Sequence, residues 1–356
     1  MVSLFSKKKE GVVGIDIGTA SVKAVELSRR GTRVRLESYG IWGDMQYRAS
    51  YRDGDATLAL LRENEIAELV SAVLGEAKIL SRTLAFSIPL SSSFFTVIDL
   101  PKMDAEEVKR AIPYEARQYI PIPISEVVLS WHPIPEYAGA GDKQKINILL
   151  VAVPRDVIER YKRIARLCGL LLSFIEIENL SAIRALGIPD SDTTLLVDIG
   201  THATGITIFD RGYVKATHHL DMGGGNLTQA ISHGMNVDIE KAEYLKRSAG
   251  LTGKGGEGEV SSIIFPILDT IYGEVARLFV LYQQRHPGST VRTCMLTGGG
   301  ANTPGLADYF VEKLAISVSV GSPFGGVMFP DALGGVFREV GASLAVAVGL
   351  AKKIIS

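Results

Sequence analysis

After ten residues the chain reads Gly11-Val-Val-Gly-Ile-Asp-Ile-Gly-Thr-Ala-Ser-Val-Lys-Ala-Val-Glu-Leu27. Two apolar segments flank a short turn that contains Gly18, so this stretch predicts a β-hairpin. Far downstream, Leu195-Leu-Val-Asp-Ile-Gly-Thr-His-Ala-Thr-Gly-Ile-Thr-Ile-Phe209 has the same order of apolar segment, Asp-Ile-Gly-Thr and apolar segment. A repeat at this distance indicates two related lobes and not a solenoid of short units.

Both hairpin tips carry the residue types that bind a triphosphate. Backbone amides must come close to anionic oxygens, and small residues permit that approach. The two tips supply glycines and hydroxyl side chains: Gly18, Thr19 and Ser21 in the first, and Gly200, Thr201 and Thr204 in the second. Two such tips facing each other predict a phosphate site between the lobes.

An aspartate, Asp16 or Asp198, comes two positions before the glycine of each tip. A carboxylate repels phosphate, so we expect these residues to face Mg²⁺, through water that the ion keeps. Lys23 is expected to reach a phosphate as a point charge. Two triple-glycine turns allow further close approaches, suited to ribose or adenine: Gly223, Gly224 and Gly225, and then Gly298, Gly299 and Gly300.

A single Asp-x-Gly-Thr motif is weak evidence, because a plain hairpin with a capping aspartate gives the same pattern. Two copies together with two triple-glycine turns favour a nucleotide cleft. Other phosphate-binding loops are absent from the sequence: no Gly-x-x-x-x-Gly-Lys-Ser/Thr occurs, and the residues from Gly223 to Thr228 do not fit the dinucleotide pattern.

Composition excludes several classes of protein. A length of 356 residues indicates about two domains or lobes. With 46% hydrophobic and 22% charged residues the chain is not disordered, and a net charge of −1 argues against a nucleic-acid binder. Cys168 and Cys294 lie in unrelated apolar contexts and predict buried thiols. We find no signal peptide and no run of about 20 apolar residues, so the sequence predicts a cytoplasmic protein.

Hydrophobic periodicity and turn residues divide the chain into five segments. In order, they are a first lobe at 11–83, an inserted α+β subdomain at 84–174, a connecting helix at 175–192, a second lobe at 193–336 and a C-terminal helix at 337–356. The second lobe includes an outer subdomain at about 226–262. The C-terminal helix is rich in Ala, Val and Leu, and we expect it to return to the first lobe as a buried helix.

The order of hairpins, connecting helices and glycine turns resembles the actin, sugar-kinase and chaperone superfamily. The resemblance implies an α/β actin-like ATPase fold, which is a duplicated ribonuclease H-like unit with two lobes around a nucleotide cleft. An inserted α+β subdomain in the first lobe is similar to the FtsA and PilM families. Three stretches resemble the PilM family in particular: 14–27, 196–200 and Ala111-Ile-Pro-Tyr-Glu-Ala-Arg-Gln-Tyr-Ile-Pro-Ile-Pro123.

The PilM resemblance implies an ATP- and Mg²⁺-binding cytoplasmic adaptor of type IV pilus assembly. Such proteins bind the N-terminal peptide of the inner-membrane protein PilN at the inserted subdomain. Other pilus inner-membrane and motor components are further expected partners, as is self-association. Transferred to this chain, the peptide-binding residues are Ile112, Tyr114, Tyr119, Ile120 and Ile122. From the residues alone, these side chains fit the core of the subdomain equally well.

Hydrolysis needs a group that positions the attacking water. Glu178 matches the glutamate that starts the connecting helix in FtsA-like and MreB-like proteins, but the proline that follows there is Asn179 here. We therefore expect at most a slow ATPase, with Glu178 as the catalytic candidate or as a helix-start charge. Lys241 and Lys246 occupy a predicted helix at a position that contacts adenosine in related folds; a solvated helix face is the alternative.

Three other functions fit the superfamily. An FtsA-like cell-division protein carries a membrane-binding helix after the last connecting helix, whereas this sequence ends at Ser356. A small-molecule kinase needs a catalytic base in the first lobe. A DnaK-type chaperone needs a separate peptide-binding domain after the ATPase, for which few residues remain.

Overall fold

The computed structural model describes five ranges of the chain: 11–43, 58–134, 145–252, 258–286 and 288–356. The strands are β1 (Val12–Ile17), β2 (Val22–Arg30), β3 (Arg33–Trp42), β4 (Thr83–Ile88), β5 (Phe94–Pro101), β6 (Val127–Ile134), β7 (Lys145–Pro154), β8 (Leu171–Ile177), β9 (Thr193–Ile199), β10 (Thr204–Asp210), β11 (Tyr213–Leu220), β12 (Thr293–Thr297), β13 (Ser317–Val320) and β14 (Val327–Met328).

The helices are α1 (Glu63–Glu76), α2 (Ala105–Glu115), α3 (Arg155–Leu167), α4 (Glu178–Leu186), α5 (Gly224–Met235), α6 (Ile239–Ser248), α7 (Gly258–Arg285), α8 (Leu306–Leu314), α9 (Gly334–Val340) and α10 (Ala345–Ile355). A glycine-rich stretch runs from Gly250 to Gly258, and its residues 253–257 are outside the described ranges.

Two of the sheets repeat one topology. The first lobe has the strand order β14–β3–β2–β1–β4–β8, and the second has β11–β10–β9–β12–β13. In each lobe an antiparallel meander of three strands is followed by a parallel strand beside the first, since β4 joins β1 and β12 joins β9. The two related lobes that the Asp-Ile-Gly-Thr repeat predicts are confirmed.

A third sheet of three strands, in the order β5–β7–β6, forms the inserted subdomain. Helix α2 covers it, and Asp104 caps the helix N-terminus: its carboxylate accepts from the Glu107 amide at 2.8 Å. The expected bounds of 84 and 174 are too wide, because β4 and β8 pair within the first sheet. Helix α3 also packs into the first-lobe core through Tyr161 and Ile164. The separate sheet therefore spans residues 94–154.

Helix α10 lies against β1 and crosses α4 at very short range. An added Cβ at Gly14 of β1 would lie 1.9 Å from the Ala347 carbonyl oxygen, and one at Gly349 would lie 1.8 Å from the Ser181 carbonyl oxygen. Only glycine allows these backbones to approach so closely. The C-terminal helix does return to the first lobe as a buried helix, but it begins at Ala345, after α9 and a short 3₁₀ turn.

The segment Asp331–Ile355 corrects one expectation from the sequence. Within the described residues it is the stretch long and apolar enough to cross a membrane, with a mean hydropathy of 1.4, although half of it is buried in the protein. Core helices pass the same test. The seven residues from Ala345 to Ala351 are all buried between the first sheet and α4.

The α4–α10 crossing gives a stability prediction. Gly349→Ala forces a methyl group onto the Ser181 carbonyl, so we expect it to lower the free energy of unfolding by at least about 2 kcal/mol. The matched control is Gly273→Ala in the middle of α7, where an added Cβ meets nothing within 4 Å. That change should stabilise the protein by up to about 1 kcal/mol. Urea unfolding measures both, and equal midpoints would contradict the prediction.

Candidate functional site

The two hairpin tips have the same turn geometry. The Gly18 amide donates to the Ser21 carbonyl at 2.9 Å, and the Gly200 amide donates to the Ala203 carbonyl at 2.8 Å. Both tips, with Thr19 and Thr201, line one cleft between the lobes. The sequence prediction that the tips face each other is in accord with this placement.

Asp16 is buried and makes two polar contacts within the protein. Its Oδ2 accepts from the Lys23 ammonium at 3.1 Å, and its Oδ1 accepts from the Ser87 hydroxyl at 2.8 Å. Lys23 is directly opposite Asp16 in the β1–β2 hairpin. Burial lowers the pKa of Lys23, but Asp16 and Asp198 outweigh this and hold the pKa above its usual value. Lys23 is therefore a fixed positive charge at the cleft.

Asp198 stands at the corresponding position of the second hairpin but has a different neighbour. The residue opposite it is Gly205, which has no side chain and lines the cleft. Among the described residues no group donates a hydrogen bond to the Asp198 carboxylate. Burial raises the pKa of Asp198 to about 6, and Lys23 only partly opposes this. This carboxylate lacks the compensating cation that a buried charge requires.

Glu178 begins helix α4 and lies at the same cleft. Its Oε1 accepts a hydrogen bond from the Leu90 amide at 2.8 Å. Burial raises the pKa of Glu178 to about 8, and the Asp198 carboxylate adds to the rise. At neutral pH the isolated site therefore holds Glu178 largely protonated, and only a small fraction of it is ionised and able to accept a proton. Asn179, which follows it, is buried and donates to the Thr207 hydroxyl of the second lobe at 3.2 Å.

A divalent cation fits the electrostatics of this cleft. Within the described residues no group of three His, Cys, Asp or Glu side chains could hold a metal by itself. Mg²⁺, however, commonly takes one or two carboxylates and completes its shell with water and phosphate oxygens. Asp198 and Glu178, whose raised pKa values show that their charges lack compensation, suit that role better than Asp16, which Lys23 and Ser87 already contact.

The first glycine turn supports the second hairpin. The Gly224 amide donates to the Gly200 carbonyl at 2.8 Å, and the Gly225 amide donates to the Thr201 carbonyl at 2.7 Å. An added Cβ at Gly223 would lie 2.5 Å from the Gly200 oxygen. These two amides are therefore occupied within the protein, and the turn holds the phosphate hairpin in place at the start of α5.

Lys246 is buried, contrary to the expectation of an adenosine contact at the surface. Its ammonium donates to Glu243 Oε2 at 2.6 Å, to Thr228 Oγ1 at 2.9 Å and to the Gly224 carbonyl at 3.1 Å. These three acceptors match the three donors of an ammonium, so Lys246 supports the glycine turn from behind. Lys241 is exposed, and its ammonium lies 4.8 Å from the centre of the Tyr244 ring.

The second glycine turn reaches the cleft with two of its three residues. Gly298 and Gly299 line the cavity together with Ala342 and Ser343, whereas Gly300 packs against Ile199. Gly298 has φ +84°, and an added Cβ would lie 2.3 Å from an Asp198 carboxylate oxygen. The cavity measures about 80 Å³, below the roughly 300–1,000 Å³ of a typical small-molecule site.

The expected peptide-binding residues fall into three groups. Ile112 and Ile120 are buried at 1% and 5% exposure in the subdomain core, so direct contact with a partner is wrong for Ile112, whereas Ile120 also lines the groove described next. Tyr114 and Tyr119 are exposed at 68% and 47%. Ile122 is partly buried against the same core.

A groove of about 250 Å³, lined by both apolar and polar side chains, lies where the subdomain meets the second lobe. Its subdomain wall includes Phe94, Phe95 and Tyr119, and its second-lobe wall includes His218 and His219 of β11. His219 lines both this groove and the cleft. Leu90 also lines the groove, and its backbone amide donates a hydrogen bond to Glu178 of the cleft. Sequence reasoning missed these residues because strands far apart in sequence bring them together.

The raised pKa of Glu178 predicts a pH dependence. In the unfolded chain its pKa is near 4.5, and in the folded protein it is about 8. Between these values the folded state binds more protons than the unfolded state, so stability falls as pH rises. Glu178→Gln keeps the acceptor for Leu90 and should flatten this part of the stability profile. Thermal melting in the absence of nucleotide measures it.

The control is Glu68→Gln on the exposed face of α1, which should leave the profile unchanged. A Glu178→Gln protein whose melting temperature falls with pH as steeply as that of the original protein would contradict the assigned burial.

Known proteins share this architecture. A chain of a solved PilM–PilN type IV pilus biogenesis complex is similar with a TM-score of 0.80 and 23% identity, over 97% of this chain and 98% of that chain. MreB 5 of Spiroplasma citri, solved bound to AMPPNP, is similar with a TM-score of 0.57 and 14% identity, over 98% and 96% of the two chains. The fold is that of the actin-like ATPases, as the sequence predicted.

Sequence comparison gives the same placement. Cell division protein FtsA of Bacillus subtilis (strain 168) is 22% identical over 361 residues, which cover 91% of this chain and 81% of that protein. The family described as type IV pilus assembly protein PilM matches residues 14–354, so the chain belongs to the PilM family.

Proposed function

We propose that this protein is an ATP-binding adaptor of type IV pilus assembly, which acts at the cytoplasmic face of the inner membrane. Its partner is a PilN-like protein, whose N-terminal peptide it binds. The observation that carries the nucleotide part is the pair of hairpin tips with one turn geometry, Gly18–Ser21 and Gly200–Ala203, on the two sides of a single cleft. The solved relative MreB 5, bound to AMPPNP, supports it.

Each group at the cleft has a defined role in this proposal. The hydroxyls of Thr19, Ser21 and Thr201 line the cleft and bind the phosphates, and Lys23 supplies a fixed positive charge beside them. The amides of the two tip glycines already donate within their turns. Asp198 and Glu178 face Mg²⁺, which when bound neutralises the phosphate charge. Gly298 and Gly299 allow the adenosine to approach the backbone. With a pKa of about 8, Glu178 is mostly protonated at neutral pH and only a small fraction can act as a base, so we expect slow turnover or none.

Nucleotide binding can be tested at Asp198. Asp198→Asn keeps the shape of the side chain and removes the charge that faces the metal. We expect the affinity for Mg-ATP to fall by roughly 10- to 150-fold, the loss of one charged interaction of about 1.5–3 kcal/mol. Isothermal titration calorimetry measures it. Removal of Mg²⁺ with a chelator should weaken binding by the original protein more than binding by the variant.

A matched control for this experiment is Glu240→Gln, on the exposed side of α6 and outside the cleft. It should bind Mg-ATP with unchanged affinity. If Asp198→Asn also binds Mg-ATP with the affinity of the original protein, the cleft assignment is wrong.

The peptide part of the proposal rests on the groove between the subdomain and the second lobe. The walls of the groove combine aromatic and aliphatic side chains with hydroxyl groups and two histidines, and β5 and β11 are edge strands of their sheets. An edge strand offers backbone hydrogen bonds to an extended peptide, and pockets between side chains provide specificity. Tyr119, half-exposed at the rim, is placed to contact such a peptide.

A synthetic peptide with the N-terminal sequence of the cognate PilN-like protein tests this binding. We expect saturable binding, weakened about tenfold or more by Tyr119→Ala, because aromatic anchors dominate such interfaces. Tyr114→Ala should have a smaller effect, since Tyr114 is exposed but does not line the groove. Fluorescence anisotropy of the labelled peptide measures both.

Tyr244→Ala is the matched control, because Tyr244 is also exposed but lies on α6 of the second lobe. If Tyr119→Ala weakens peptide binding no more than Tyr244→Ala does, the groove is not the peptide-binding site. No peptide binding at all, with Mg-ATP binding intact, would favour a cell-division type of scaffold instead.

A further inference from the structure

One end of the first lobe carries three exposed leucines. Leu80, Leu167 and Leu171 are 66%, 57% and 69% exposed. Leu80 precedes β4, Leu167 ends α3 and Leu171 starts β8. Solvent-exposed leucines scattered singly need no explanation, but apolar side chains gathered on one surface indicate a contact with something else.

Backbone contacts bring these three segments together. The Leu171 amide donates to the Arg82 carbonyl at 2.8 Å, and the Arg82 guanidinium donates to the Gly169 carbonyl at 3.4 Å. The Gly169 amide in turn donates to the Arg166 carbonyl at 3.0 Å, at the end of α3. The leucines therefore lie on neighbouring segments at one end of the lobe, which we call the basal face and define as Leu80–Arg82 and Lys162–Leu171.

Positive charge surrounds these leucines. Helix α3 carries five basic residues and two acidic ones, although the whole chain has a net charge of −1. Lys162 pairs with Glu159 at 2.8 Å, and Arg163 pairs with Glu63 at 2.7 Å. Among the described residues no carboxylate forms an ion pair with Arg82 or Arg166. Glu63 and Glu159, which pair with Arg163 and Lys162, also lie within electrostatic range of Arg166 and partly balance its charge. Arg82 adds a positive charge beside the leucines.

The basal face lies opposite the cleft within the first lobe. Strands β4 and β8 are parallel, and both begin at this face, since Thr83 pairs with Leu171. Both strands end at the cleft, where Ser87 contacts Asp16 and Glu178 follows Ile177. Six or seven residues of strand separate the two ends by about 20 Å. An object bound at the basal face leaves the nucleotide site accessible.

We propose that the basal face binds an anionic lipid bilayer surface. The leucines enter the boundary between headgroups and acyl chains, and Arg82, Arg166 and their neighbours contact the negative headgroups. The charge favours this occupant over a second copy of the chain, because two basal faces brought together would repel each other. This interaction is independent of the peptide groove and of the nucleotide.

Vesicle flotation with the full chain tests the proposal, without any peptide or partner protein. We expect binding to vesicles of equal phosphatidylcholine and phosphatidylglycerol, little binding to phosphatidylcholine alone, and a loss of binding at high salt. The combined change Leu80→Ser, Leu167→Ser and Leu171→Ser should lower the partition coefficient at least about tenfold. The charge reversals Arg82→Glu and Arg166→Glu should have an effect of about the same size.

Matched control variants change exposed residues far from the basal face. Tyr244→Ser with Val311→Ser replaces two exposed apolar side chains of the second lobe, and Arg285→Glu with Arg338→Glu reverses two exposed charges. Neither control should change vesicle binding, and thermal melting verifies that all variants fold.

Three outcomes would overturn the proposal. They are no binding to anionic vesicles, equal binding to neutral and anionic vesicles, or equal loss in the basal-face and control variants. Sedimentation velocity tests whether a second copy of the chain binds to this face instead of lipid. If the leucine variant abolishes a concentration-dependent dimer and leaves vesicle binding unchanged, the face binds a second copy and not lipid.

Discussion

The arrangement of the two lobes depends on one close crossing of two helices, α4 and α10. Gly349 brings the backbone of α10 against the Ser181 carbonyl of α4, and Gly14 brings strand β1 against the Ala347 carbonyl on the same helix. Because α4 starts with Glu178 and also contacts the second lobe through Asn179, this packing fixes where the cleft carboxylate lies. A buried network around Glu176, which Arg184 and Lys353 contact at 2.7 and 2.6 Å, holds the same helices together.

The cleft is electrostatically incomplete in the absence of a ligand. In the first hairpin Lys23 balances Asp16, but in the second hairpin the equivalent of Lys23 is Gly205, which leaves Asp198 without a partner and opens space above it. The duplicated hairpins have thus kept one backbone and diverged in charge. Desolvated carboxylates such as Asp198 and Glu178 resist ionisation, and a bound cation reverses that balance. We infer that metal and nucleotide bind to this site as a unit.

The inserted subdomain places a second site next to the first. Its edge strand β5 meets β11 of the second lobe, so the groove has walls from both sides of the molecule. Leu90 and His219 belong to the wall that separates this groove from the cleft. The basal face, at the other ends of β4 and β8, completes a division of the first lobe into an end that lines the cleft and an end that carries leucines and arginines.

The sequence by itself determined the duplicated lobes, the two phosphate hairpins and the glycine turns, because strand periodicity and the Asp-Ile-Gly-Thr repeat are local signals. It could not distinguish surface from core at Ile112, Ile120 and Lys246, since an apolar or charged side chain gives no local sign of what packs on it. The occupied amides of Gly224 and Gly225, the opposite environments of Asp16 and Asp198, and the groove and basal face follow from contacts between segments far apart in the chain. Only the tertiary structure decided these features, because burial and charge compensation depend on which distant backbones meet.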